Sequence, residues 1–286
     1  MYSNDEVTVI VLDYNKPDLT NRCLESIWRY NRVKIILVNS GSASYAEYDK
    51  KIPFLYVVNR RGRSFSIGMN TGLKAASSLN PKYIIFMNND AIVTDGALRL
   101  LVGALQSNPK IGMVSSGYRY SLGLLNKEKQ VDLKLQDDDQ PKIKIRKRLT
   151  GFCLCVKFET IFKICGYDEN FIFTKEDDDL SFRIVKRGFF LAEVENSIVI
   201  HKISSSTRLS EDHDISFLST SFGFGCGLLI NKKERNLLVM MMHLFVNDIF
   251  LFTKILILVH KFKVDIFKWS LKGFKDGLSK RLDSDC

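Results

Sequence analysis

Short apolar runs, each closed by a cluster of small polar or acidic residues, restrict this chain to very few folds. Val7-Thr8-Val9-Ile10-Val11-Leu12 stops at Asp13-Tyr14-Asn15, and residues 33–38 stop at Asn39-Ser40-Gly41-Ser42. Tyr83-Ile84-Ile85-Phe86-Met87 stops at Asn88-Asn89-Asp90, and a further run covers residues 54–58. Strands this continuously apolar are buried on both faces, as in a parallel sheet. Residues 19–30 carry Leu24, Ile27 and Trp28 at helical spacing, so strands alternate with helices. The expected class is α/β, with a mostly parallel central sheet and helices on both faces. In such sheets ligands lie beyond the carboxyl ends of the strands, where the three polar clusters converge.

Composition narrows the class further. With 45% hydrophobic and 26% charged residues among 286, the chain is neither disordered, collagenous nor a disulfide scaffold. Its net charge of +10 attracts polyanions, anionic membrane surfaces or phosphate-bearing substrates. Nucleic acid is the least favoured of these, because the basic residues divide between a loop and the C-terminal tail and no reader motif is present. Gly62, Gly68 and Gly72 do not form the dinucleotide fingerprint after the first strand, which disfavours an oxidoreductase. Cys23, Cys153, Cys155, Cys165, Cys226 and Cys286 show no C-x-x-C pairing, so no metal is assigned to them and a reducing cytoplasm is expected. The polar, acidic start at residues 1–6 leads straight into a strand, so neither a secretory signal nor a transit peptide is expected.

Residues 127–148 alternate charge blocks with few apolar residues and read as a long solvated loop. Residues 152–158 then alternate like a strand, and residues 176–187 read as a helix with acids in its first turn, Lys186 and Arg187 in its last, and Gly188 after it. From about Lys232 onward the composition turns to apolar helices with polar residues recurring on one stripe. The most hydrophobic stretch, 237–259, is interrupted by His243, Asn247, Asp248 and Lys254, short of the roughly 18 uninterrupted apolar residues of a spanning helix. Residues 231–286 hold 11 basic against six acidic side chains. An amphipathic helical region lying on an anionic leaflet accounts for both features, and a helical appendage packed on the core or on a second subunit accounts for the apolar face alone.

Three places have residues fit for chemistry. Asp90 ends a buried strand, where a carboxylate can hold a divalent cation against a diphosphate, whereas Asp137-Asp138-Asp139 lies in the solvated loop with nothing to fix it. Glu176-Asp177-Asp178-Asp179 exceeds what a helix start requires, so one member is a candidate general base, and Arg183 has the spacing to pair with Asp179. His201 ends an alternating run and becomes a ligand candidate if it converges with Asp90.

The order and spacing of residues 7–15, 39–42, 65–72, 86–90, 166–171 and 176–180, followed by Arg183, Gly188 and His201, resemble family 2 glycosyltransferases, most nearly a rhamnosyltransferase-like branch. Gly273-Phe274-Lys275-Asp276-Gly277-Leu278 also resembles the end of those proteins. The resemblance implies a GT-A fold over residues 1–230, with a nucleotide-binding half at about 1–115 and an acceptor half at about 116–230, before the helical region 231–286. It implies a nucleotide-sugar donor carrying dTDP or UDP, Mg²⁺ or Mn²⁺, and inversion at the anomeric carbon. By the same resemblance Asp13, Tyr14, Asn15 and Asn39 flank the nucleoside, Gly68 and Asn70 lie near it, and Asn88, Asn89 and Asp90 occupy the Asp-x-Asp position. Asp177 falls at the catalytic base and His201 at a metal ligand, with Arg63 as a basic residue near the diphosphate. Asn39 stands where an Asp commonly reads the pyrimidine, Gly62 and Ser64 replace the usual Asn and Gly, and only Asp90 is acidic at the metal motif. The implied acceptor is a glycan or lipid-linked glycan at the inner face of the cell membrane, with peripheral membrane contact or a homodimer through the tail. The alternative is a catalytically silent subunit of the same assembly.

Overall fold

In the computed structural model, the described residues are 4–41, 48, 52, 55–120, 140–201, 212–233 and 263–280. They form two compact units, Met1–Asp168 with Asp177–Arg208, and Glu169–Glu176 with Leu209–Cys286.

The first unit opens with strand β1 (Val7–Asp13), helix α1 (Pro17–Asn31), β2 (Lys34–Asn39), β3 (Leu55–Asn59), α2 (Phe65–Ala76) and β4 (Tyr83–Asn88). It continues with β5 (Ala91–Val93), α3 (Ala97–Ser107), β6 (Ile111–Tyr120), β7 (Ile143–Arg146), β8 (Cys153–Lys157), α4 (Phe158–Lys163), α5 (Glu176–Lys186) and β9 (Phe190–His201). The nine strands make one sheet in the order β3-β2-β1-β4-β8-β6-β9-β5, with β7 also paired to β9. The β3-β2-β1-β4 half is parallel throughout, as the apolar runs require. Beyond β4 the sheet is mixed: β8 is antiparallel to both its neighbours, while β6 and β9 run parallel.

Alternation along the strands builds both layers of the core. Val7, Val9 and Val11 face one side with Ile35, Leu37 and Ile85, against Cys23, Leu24 and Ile27 of α1 and the buried face of α3. Ile10, Ile36, Ile84 and Phe86 face the other, against Met69 and Leu73 of α2 and Leu180 and Ile184 of α5. Each such side chain removed from water contributes about 1.5–3 kcal/mol. Pro17 starts α1 at the position where its missing N–H leaves no bond unmade. Helix α2 sits close to the sheet because it has glycine where it crosses β1: a Cβ at Gly68 would lie 2.6 Å from Leu12 Cδ1, and one at Gly72 would run into Ile10. Burial drives the thiols of Cys23 and Cys155 upward and pushes that of Cys153 up to about 12, so these side chains serve as small hydrophobes.

The loop expected over residues 127–148 needs correction at its end. Ile143–Arg146 is an edge strand antiparallel to β9, held by ion pairs from Lys144 to Glu195 and from Arg146 to Glu193. Its charge density masked an alternation whose apolar members, Ile143 and Ile145, remain exposed. Asp137, Asp138 and Asp139 lie outside the described residues, as does the 237–259 stretch. Among the described residues, no helix is long and apolar enough to cross a membrane.

The second unit pairs α6 (Asp212–Lys233) with α7 (Lys263–Ser279). Gly223 and Gly227 on one helix face Gly273 and Gly277 on the other, and a Cβ at any of the four would collide with the opposite backbone. Phe171 packs with Leu228 and Leu229, and the Lys232 ammonium lies 5.6 Å from its ring centre. The outer side of α7 exposes Lys268, Leu271, Lys272 and Lys275.

Candidate active site

The short strand β5 turns back immediately after β4 and pairs with the end of β9, placing Ala91 opposite His201. That register brings Asp90 Oδ1 to 3.1 Å from His201 Nε2. Asn88 Nδ2 lies 3.4 Å from the same nitrogen. The Phe152 ring stacks on the imidazole, with centroids 5.1 Å apart and planes 19° from parallel. Asn88 N donates to the Phe152 carbonyl at 3.0 Å, so the aromatic residue is tied to the end of β4 by its backbone as well. Two ligands sitting side by side on one octahedral cation of Mg²⁺ size are about 3.0 Å apart, close to the separation of this oxygen and nitrogen. The donor set therefore fits a cation that takes its remaining ligands from a diphosphate and water. Among the described residues no group of three or more His, Cys, Asp or Glu side chains could hold a metal unaided.

Asn89 points the other way. Its Nδ2 donates to Asp13 Oδ1 and to Thr20 Oγ1, both at 3.0 Å. Asp13 is fully buried and also accepts from Thr20 Oγ1 at 2.5 Å, from Tyr48 Oη at 2.8 Å and from the Lys16 N–H. Both oxygens of this carboxylate are thus engaged inside the protein.

At the neighbouring strand ends, Tyr14 is exposed and the Arg63 guanidinium lies 5.3 Å from its ring centre. Asn15 adopts a left-handed backbone, φ 55°, and crowds Gly41 so closely that a Cβ there would collide with its side chain. Asn39 donates to Asn59 Oδ1 at 3.1 Å and accepts from the Gly41 N–H. The loop carrying Arg63 is braced by Arg60, whose Nη1 donates to the Gly62 carbonyl at 3.1 Å and to Ser40 Oγ and the Ser64 carbonyl, each at 3.4 Å. Gly68 and Asn70 have structural tasks. Gly68 lets α2 touch Leu12, and Asn70 clamps the backbone of Tyr167 at both ends, donating to its carbonyl and accepting from its N–H at 2.8 Å each.

The acidic helix start sorts its carboxylates by partner. Asp179 is fully buried and pairs with Arg183 Nε at 2.7 Å, the pairing that their spacing suggested. Asp178 pairs with Arg148 at 3.3 Å. Asp177 is half-buried and accepts from the backbone N–H groups of Gly151 at 3.1 Å and Asp178 at 2.9 Å. Gly151 and Phe152 are adjacent, so one dipeptide touches both the base candidate and His201. Sequence reasoning did not single out Gly151, Phe152, Arg60, Thr20 or Arg148, since their roles arise from pairings between distant parts of the chain or from backbone bonds that leave no local pattern.

The mixed sheet, the helices on both faces and the acidic turn at the end of β4 are those of the GT-A fold. A mannosyltransferase, PcManGT from Pyrobaculum calidifontis, in complex with GDP-Man and Mn²⁺, superposes with a TM-score of 0.60 at 15% identity, covering 96% of this chain and 87% of that one. GalNAc-T7 with UDP, GalNAc and Mn²⁺ superposes with a TM-score of 0.57 at 14% identity, covering 78% of this chain and 47% of that one. The family model for glycosyl transferase family 2 matches residues 8–163, and the chain belongs to that family. A glycosyltransferase, GlyA from Streptococcus pneumoniae serotype 4, is 31% identical over 100 residues, which are 32% of this chain and 14% of that protein. This chain therefore spans only a small part of that relative's length. The family match contains Asp13, Asn39, Arg63 and the 88–90 turn and ends before Asp177 and His201.

Proposed function

We propose that this protein is an inverting glycosyltransferase, moving a sugar from a nucleoside-diphosphate donor to a hydroxyl of a growing cell-surface polysaccharide or lipid-linked glycan. The observation that carries the reading is the Asp90–His201 pair, 3.1 Å apart at the carboxyl edge of the sheet. Tyr14, Asn15, Asn39 and Asn88 line the same edge and are the donor-binding residues in this reading, with Arg63 toward the diphosphate. Asp90 and His201 would hold Mg²⁺ or Mn²⁺, which supplies neutralisation of the charge that builds on the departing diphosphate. Asp177 takes the proton from the acceptor hydroxyl as that oxygen attacks C1 from the face opposite the leaving group. One displacement inverts the centre. L-rhamnose on dTDP is the donor that the sequence resemblance favours, with a UDP-sugar next. The exposed lysines of α7 support peripheral contact with the inner face of the cell membrane, and the apolar tail equally suits a homodimer.

A catalytically silent binding subunit is the second reading, favoured by a motif in which Asp90 is the one carboxylate. Release of nucleoside diphosphate from UDP-, dTDP-, GDP- and CDP-sugars, with Mn²⁺ or with EDTA, separates the two. The enzyme is expected to release one diphosphate faster than a protein-free control, with EDTA abolishing the difference. Release at the control rate from every donor, alongside tight nucleotide binding, would identify the silent subunit.

A further inference from the structure

We propose that Asp13 is a positioning residue: it fixes the Asn88-Asn89-Asp90 turn through Asn89, and position 89 carries an amide because a buried carboxylate stands opposite it. Side chains along this turn alternate. Asn88 and Asp90 approach His201, while Asn89 goes inward to Asp13 and Thr20. Asn89 is 7% exposed and Asp13 fully buried, so the bond between them lies in the interior. The same carboxylate accepts from Thr20 and Lys16 at the start of α1 and from Tyr48. Asp13 thereby locks the end of β1, the start of α1 and the turn after β4 into one arrangement, and the residue next to Asn89 is Asp90. A donor is required at 89, since the Asp13 oxygens only accept.

An acid at position 89 makes the motif look better suited to a cation, yet it sets two acceptors of like charge 3.0 Å apart and removes a charge-assisted hydrogen bond. Were Asn89 directed at the cation, the added carboxylate would tighten binding. The placement of Asn89 demands the reverse.

The inference rests on Asp90 and His201 facing the diphosphate, so the test reads the bracing and the binding separately. Wild type, Asn89→Asp, Asp13→Asn, the double variant exchanging the two side chains, and Asn89→Ala are compared. One reading is the ligand-free melting temperature. The other is affinity for Mn²⁺ with whichever of UDP, dTDP, GDP and CDP shifts the wild type most. Asn89→Asp is expected to melt roughly 5 °C lower and to bind Mn²⁺ and nucleotide about tenfold more weakly. The exchange variant is expected to recover part of both, because the amide then at position 13 can donate to the carboxylate at position 89. Asn89→Ala, which deletes the bond without adding charge, keeps the test informative should the charged variants fail to fold, and it too is expected to weaken binding. Tighter Mn²⁺ binding by Asn89→Asp, unchanged affinity in Asn89→Ala, or an exchange variant no better than Asn89→Asp would overturn the proposal. A wild type that binds no nucleotide contradicts the glycosyltransferase reading instead, and the order of ligand-free melting temperatures then decides the Asp13–Asn89 pairing alone.

Discussion

Asp177→Asn is expected to lower sugar transfer by about 10²–10⁴-fold while nucleotide affinity stays within about twofold of wild type. The reason lies in how the acids at the start of α5 divide. Asp178 and Asp179 each answer an arginine, whereas Asp177 accepts from the backbone N–H groups of Gly151 and Asp178. Those two donors fix the orientation of a half-buried carboxylate, which suits a group that must meet an incoming hydroxyl and accept its proton. An amide in its place keeps the shape but accepts through its single oxygen from only one of the two N–H groups, and it takes no proton from the acceptor hydroxyl. Loss of nucleotide binding together with transfer would make Asp177 a structural residue.

The largest effect on stability is expected from Arg183→Met. Arg183 donates to the fully buried Asp179 at 2.7 Å and, through Nη1, to the carbonyls of Ile164 and Gly166 at 2.8 Å. It thus ties α5 to the turn after α4. Methionine fills much of the volume but leaves a buried carboxylate and two carbonyls without this donor. Removing one partner of a buried pair costs about 3–5 kcal/mol, which lowers the melting temperature by about 10 °C in a unit of this size. Chemical denaturation of wild type, Arg183→Met and the double variant Arg183→Met with Asp179→Leu checks it. The double variant is expected to be more stable than Arg183→Met, because no carboxylate is then left buried without its arginine. A single variant within about 0.5 kcal/mol of wild type would show that water reaches Asp179.

How much of this was legible beforehand follows from the range of each signal. The parallel half of the sheet was readable because consecutive apolar runs report burial on both faces, and those strands pair near their sequence neighbours. The mixed half was less so. The end of the charged loop, now β7, reads as charge because an edge strand keeps its side chains wet, and the antiparallel placement of β8 between β4 and β6 depends on partners far from it in the chain. Asp90 and His201 were readable as types of residue, but their meeting is set by the Ala91–His201 register of a three-residue strand. Asp13, Gly68 and Asn70 show the opposite limit. A motif places them near a ligand, and the fold adds contacts that the motif does not report: Asp13 with Asn89, Gly68 with Leu12, Asn70 with the Tyr167 backbone. A motif marks a place, and the partners of each side chain show what that residue holds within the protein.

The central claim, a nucleotide-sugar site built on Asp90 and His201, is tested most directly by thermal shift with UDP, dTDP, GDP and CDP, each with Mn²⁺ or with EDTA. A ligand that binds only the native state raises its melting temperature by mass action, by about 5 °C or more at roughly 100 times its Kd. The expected result is a shift with one pyrimidine diphosphate that EDTA removes and that Asp90→Asn and His201→Ala each diminish. A shift indifferent to EDTA would take Asp90 and His201 off metal duty, and no shift with any of the four nucleotides would contradict the donor site itself.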